Sequence, residues 1–178
     1  KVVVIGGGIA GCSTAYHLAD HGWDTVLIER DVLTSGTTWH AAGMITQLGR
    51  TPQITKIRKN SVKFYKELEK ITGLNTSFKQ TGTINIATTK SRHQEFMRQK
   101  TMSKLFNLDI KIIDKNKFKS LYPIAENKDV FSGLYIPEDG QADPEILTKN
   151  ISIAAKKKGV KIIEKCKLEK ILKRSNQI

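Results

Sequence analysis

Residues 1–30 read KVVVIGGGIAGCSTAYHLADHGWDTVLIER, and the order of residue types in this stretch decides the fold. Lys1 to Ile5 is a nearly continuous β-branched run, the pattern of a strand buried on both faces of a parallel sheet. Gly6-Gly7-Gly8 forces a turn. A helix follows from about Ile9 to His21, with Ile9, Cys12, Tyr16, Leu18 and Ala19 approximating one apolar face and Gly22 supplying the stop. Thr25 to Ile28 is a second strand, and together these pieces have the length of a strand–helix–strand unit of about 30 residues.

Within that unit Gly6, Gly8 and Gly11 stand in a G-x-G-x-x-G arrangement. The first glycine makes a tight turn, the second lets backbone approach a pyrophosphate, and the third allows close helix–strand packing. The backbone N–H groups of the helix start, including Ile9 and Ala10, then offer donors and the positive end of a dipole to phosphate. Glu29 lies 18 residues beyond Gly11, at the end of the second strand. A carboxylate there accepts hydrogen bonds from a ribose diol and repels a 2′-phosphate. These residues point to a dinucleotide other than NADP and leave FAD and NAD unresolved.

Beyond the unit, residues 31–49 show no clean periodicity and are rich in Gly, Thr and Ser, as functional loops often are. A helix is predicted from Thr51-Pro52 to Gly73. Thr83 to Ile86 alternates like a half-buried antiparallel strand, and Ser91 with Gln94 has capping-box spacing for a helix reaching Phe106. Further strands are predicted at Ile110–Ile113, Val130–Ile136, Val160–Ile163 and Leu168–Leu172. Asp114 is placed to cap a short helix, and Asp143-Pro144-Glu145 reads as the start of a helix ending at Gly159. The fold class is therefore α/β: a Rossmann-like sheet domain, residues 1–75 and 142–178, interrupted by part of an antiparallel α+β domain, residues 76–141.

The net charge of +13 raises a nucleic-acid partner, but residues 1–50 hold three basic and four acidic side chains, so the excess is scattered lysine further on. Without aromatic platforms or arginine clusters that pattern reads as solvated faces, and no nucleic-acid partner is expected. Cys12 and Cys166 make neither a disulfide framework nor a metal-ligand spacing, and Cys12 reads as a packing residue. His17, His21 and His93 show no ligand spacing, and Glu138-Asp139 beside Gly140 reads as turn chemistry. No apolar run reaches the length that spans a bilayer, and no signal segment precedes the first strand. The absence of an initiator Met suggests an N-terminal segment outside this sequence.

The loop after Glu29-Arg30 reads LTSGTTWHAAG, Leu33 to Gly43, and closely resembles the same segment of the sarcosine and dimethylglycine dehydrogenases, within the D-amino-acid-oxidase-like flavoenzymes. The resemblance continues through Gln80–Ile84, Gly133–Tyr135, Asp139-Gly140 and Asp143-Pro144. It implies FAD as cofactor, with the histidine matching His40 bonded covalently to the flavin 8α carbon. An imidazole nitrogen is a nucleophile near neutral pH, able to add to an electrophilic form of the flavin. The same resemblance sets Gly36, Thr37, Thr38, Trp39, His40, Ala41, Ala42, Gly43 and Met44 along the pyrophosphate, ribityl chain and ring. It also assigns Arg30 to the cofactor and sets Leu168 against the adenine through its backbone. Trp39 otherwise reads as a packing anchor.

The implied reaction is oxidation of an N-methyl amine such as dimethylglycine or sarcosine, with flavoprotein or oxygen as electron acceptor, in bacterial cytoplasm or the mitochondrial matrix. The resemblance makes residues 1–178 an N-terminal part of such an enzyme, inactive alone, with catalytic residues and any tetrahydrofolate-binding region beyond Ile178. A non-catalytic regulatory relative of the same fold, expected to lack the linking histidine, and other amine or amino-acid oxidases are the alternatives.

Overall fold

The computed structural model describes residues 1–172. In chain order the elements are β1 (Val2–Ile5), α1 (Ile9–Asp20), β2 (Thr25–Ile28), a 3-10 turn (Thr38–His40), β3 (Met44–Ile45), α2 (Pro52–Thr72), β4 (Thr83–Ala87), and α3 (Lys90–Ser103). They continue with β5 (Lys111–Ile113), α4 (Lys115–Leu121), β6 (Ser132–Ile136), β7 (Gly140–Gln141), α5 (Pro144–Lys157) and β8 (Lys161–Ile163). They divide into two compact units: residues 1–43, 65–78 and 142–178, and residues 44–64 with 79–141. Residues 44–64 thus cluster with the second unit, whereas the sequence alone assigns them to the first.

The first unit is built on a parallel sheet in the order β1-β2-β8, with Val2 opposite Thr25 and Val26 opposite Lys161. Parallel strands need a crossover, and α1 and α5, which pack on one another, supply the helical layer. Both helices bury small side chains, Cys12 and Ala15 on α1 and Ala154 and Ala155 on α5, which lets their axes approach. Asp143 caps α5 through Oδ1, accepting from the N–H groups of Glu145 and Ile146, with Pro144 at the first helical position.

Two expectations fail in this unit. β1 is covered on one face only: Val4 lies toward Gly11 of α1, while Val3 and Ile5, alternating to the other side, are 54% and 56% exposed. Leu168–Leu172 forms no strand. After β8 the backbone turns through Lys165, at φ +55°, and the N–H groups of Lys165 and Cys166 bond to the carbonyls of Asp31 and Glu29.

The second unit carries an antiparallel sheet in the order β4-β6-β5. Alternation along β6 sends Leu134 and Ile136 into a core with Ala87, Phe96, Leu108 and Ile110, and a second core gathers Ile113, Phe118 and Val130. β3 and β7 form a separate two-stranded ribbon. Asp114 caps α4 by accepting from the Lys117 N–H. The cap of α3 is Thr89 rather than the expected Ser91: Thr89 has extended backbone and its Oγ1 accepts from the Arg92 N–H, while Ser91 already lies inside the first turn. Among the described residues no helix is long and apolar enough to cross a membrane.

Candidate dinucleotide site

Each glycine of the first turn is required for its own steric reason. Gly6 has φ +105°, a left-handed conformation, and its N–H bonds to the Ile28 carbonyl at 2.8 Å, tying the turn to β2. A Cβ on Gly11 would stand 1.9 Å from the Gly6 carbonyl oxygen, so no larger residue fits between α1 and the turn. A Cβ on Gly8 would stand 2.9 Å from the Thr38 Oγ1. That hydroxyl accepts from the Ile9 N–H at 3.1 Å and so serves as the cap that Gly8 lacks. Ala10, one position on, is exposed at the start of α1.

Glu29 stands beside this turn rather than in the core. Its Oε2 accepts from the Gly7 N–H at 2.6 Å and its Oε1 from the Asp31 N–H at 2.9 Å. A carboxylate has about four acceptor positions, so two hydrogen bonds leave capacity for hydroxyl donors. Cys12 lies just behind, its Sγ 3.7 Å from the Gly7 carbonyl. Burial pushes its thiol pKa up to about 12, and the Glu29 and Glu164 carboxylates add to the shift. It is a packing residue and not a nucleophile.

The loop from Gly36 to Gly43 has a different character. Thr38 is buried by its bond to α1, but Gly36, Thr37, Trp39, His40, Ala41 and Ala42 are exposed. Trp39 is 53% exposed and does not anchor the loop. Its ring instead lies against the His40 imidazole, centroids 3.7 Å apart and tilted by 34°. The His40 Nδ1 is 3.3 Å from the Gly36 carbonyl oxygen. Gly43, at φ +73°, closes the loop: its carbonyl accepts from the Ala142 N–H at 2.9 Å, and a Cβ would meet the Ala142 oxygen at 2.2 Å. Met44 opens β3 of the second unit and is 66% exposed. Arg30 is exposed beside Glu29, and Leu168, 40% exposed, lies in the irregular chain after β8.

The structure adds residues that sequence reasoning passes over. Glu164, just beyond β8, accepts from the Leu33 N–H at 2.7 Å, and Lys165 pairs with Asp31. With Val32, Ser35, Trp39, Glu145 and Lys149, Glu164 lines a shallow hollow of about 460 Å³. The available signal is position, since ligands of parallel α/β sheets gather at the carboxyl ends of strands, where β2 and β8 both end here. A turn stripped of Cβ atoms, a helix start and an adjacent carboxylate acceptor fit an adenosine diphosphate moiety.

The family described as FAD dependent oxidoreductase (DAO) matches residues 1–178. The chain is 42% identical over 161 residues to the mitochondrial dimethylglycine dehydrogenase of Rattus norvegicus, covering 90% of this chain and 19% of that protein. It is 38% identical over 168 residues to the mitochondrial sarcosine dehydrogenase of Homo sapiens, covering 93% of this chain and 18% of that one. Among solved structures, the L-proline dehydrogenase from P. horikoshii superposes with a TM-score of 0.90 at 29% identity, covering 97% of this chain and 46% of its own. The chain thus spans about a fifth of the length of these curated relatives.

Proposed function

The chain belongs to the FAD dependent oxidoreductase (DAO) family, and from that premise we propose that it is part of an enzyme oxidising an N-methyl amine such as dimethylglycine or sarcosine, with FAD attached covalently through His40. FAD held there would supply the acceptor for a hydride equivalent from the N-methyl carbon. The protein's residues do the holding. The N–H groups at Gly8 and Ala10 receive the pyrophosphate, the Ile9 N–H being held by Thr38, with Gly6 and Gly11 keeping turn and helix close enough to do so. Glu29 accepts from the ribose hydroxyls.

Contact of the His40 Nδ1 with the Gly36 carbonyl supports the covalent reading. A carbonyl accepts only, so the proton belongs on Nδ1, which leaves the Nε2 lone pair as nucleophile. The observation that carries the proposal is this pairing in one unit: a glycine turn closed by Glu29, and downstream an exposed imidazole held by a single backbone acceptor. Residues 76–141 are proposed to belong to the substrate-facing domain.

The test is turnover by the full-length protein. Dimethylglycine and sarcosine should reduce an artificial electron acceptor and yield one formaldehyde per N-methyl group removed, while glycine should not react. Flavin-loaded protein that turns over no N-methyl amine would favour a non-catalytic relative or an oxidase of other amino acids.

A further inference from the structure

A basin of about 500 Å³ in the second unit is lined by three arginines. Arg50 precedes α2, Arg58 lies on α2, and Arg92 lies in the first turn of α3. The Arg58 Nη1 donates to the Leu48 carbonyl at 2.8 Å and to the Thr46 hydroxyl at 3.1 Å. Both acceptors are neutral, so they fix its direction without offsetting its charge. Arg92 lies 5.1 Å from the centroid of the Phe96 ring and pairs with Glu95 at 2.6 Å, so one of the three charges is offset. Glu95 also accepts from the Gln99 Nε2 at 3.1 Å, which sets the Gln99 amide on the same wall.

The carboxylate of Asp139 stands in the basin wall and is electrostatically coupled to Arg58, so it offsets part of this charge. Asp139 is fully buried, and its two oxygens accept from the Gln47 N–H at 2.8 Å and the Thr83 hydroxyl at 2.6 Å. Three arginines against Glu95 and Asp139 leave the hollow a formal charge of +1. Like charges lining one hollow repel each other, and an oxyanion with several acceptor oxygens is the ligand that relieves this. Below them Leu48, Ile54 and Ile136 form an apolar floor.

We propose that this basin binds a small oxyanion, a carboxylate or phosphate on a short aliphatic stem, through Arg50, Arg58 and Arg92. The inference uses no residue assigned above to FAD. Its test is calorimetric titration of the full-length protein with butanoate, inorganic phosphate and, as the uncharged control, butanamide. One or both anions should saturate the protein with a Kd of about a millimolar or below, while butanamide gives no saturable heat. Tighter binding of butanoate than of acetate would reflect the apolar floor. The stronger of butanoate and phosphate identifies the head group.

Arg58→Met and Arg92→Met should each weaken binding by about tenfold or more, a change of ~1.4 kcal/mol, in protein that still unfolds cooperatively. Lys128→Met, an exposed cation elsewhere in the unit, should leave it unchanged. Should Arg58→Met fail to fold, Arg50→Met at its exposed position gives the same reading. The proposal is overturned if no anion binds saturably at about ten times that Kd. It is also overturned if the arginine variants bind as the wild type does, or if Lys128→Met loses as much as they do.

Discussion

The glycine turn and the loop carrying His40 lie in the same compact unit, yet they are held in opposite ways. In the turn every residue type is forced by a contact: Gly11 by the Gly6 oxygen, Gly6 by its dihedral, and Glu29 by the Gly7 N–H. In the loop, Thr38 alone is buried between Gly36 and Ala42, while Trp39 and His40 face outward with one 3.3 Å contact to the backbone. Internal packing therefore explains the turn completely and the loop hardly at all. Trp39 and His40 stay exposed and stacked on one another, outside the core, as the ligand role proposed for this loop requires.

That contrast can be broken most sharply at Gly11. Gly11→Ala places a Cβ against the Gly6 carbonyl oxygen, in a turn tied to β2, and should destabilise the full-length protein by about 3 kcal/mol in urea unfolding, with loss of FAD incorporation. A variant that unfolds like the wild type would show that the close approach is not structural. Glu29→Gln comes next. It preserves shape but replaces an anionic acceptor, and in a His40→Ala background, where binding is reversible, FAD affinity should fall tenfold to hundredfold, about 1.5–3 kcal/mol. An unchanged affinity would remove Glu29 from the ribose site.

Thr38 is the point where the two regions meet, and the effect there should be smaller. Thr38→Val removes the acceptor for the Ile9 N–H and should cost about 1 kcal/mol of stability, read from the denaturant midpoint. The smallest effect is chemical. With the Cys12 thiol raised to about 12, native protein treated with iodoacetamide at pH 8 should be alkylated at half-buried Cys166 and spared at Cys12, as read by peptide mass. Because the folded value is the raised one, Cys12 contributes stability that is complete below the unfolded thiol pKa, about 8.5, and is lost as pH climbs toward 12. Equal labelling of both cysteines in the native state would contradict the packing assigned to Cys12.

Sequence legibility follows the same division. Local rules found β1, α1, β2 and the capped start of α5, because a β-branched run, a glycine turn and an Asp-Pro-Glu signal each act within a few residues. Tertiary pairings left no such trace. The two-residue strands β3 and β7 have no periodicity to read, and the Leu33–Glu164 and Asp31–Lys165 contacts join positions far apart in the chain. The same limit explains the misplaced cap at Ser91: the stretch carries a local signal, and the hydroxyl that accepts from the Arg92 N–H is that of Thr89. The role proposed for His40 rests on resemblance, since nothing in its own neighbourhood requires an imidazole.

The covalent link is therefore the most direct test. Full-length wild-type protein and His40→Ala should be denatured in acid, separated on a gel, viewed under ultraviolet light and weighed by mass spectrometry. The wild-type band should keep flavin fluorescence and a mass increment of one FAD, and His40→Ala should release its flavin on denaturation. Wild-type protein that folds with FAD and then loses all of it in acid would contradict the role assigned to His40.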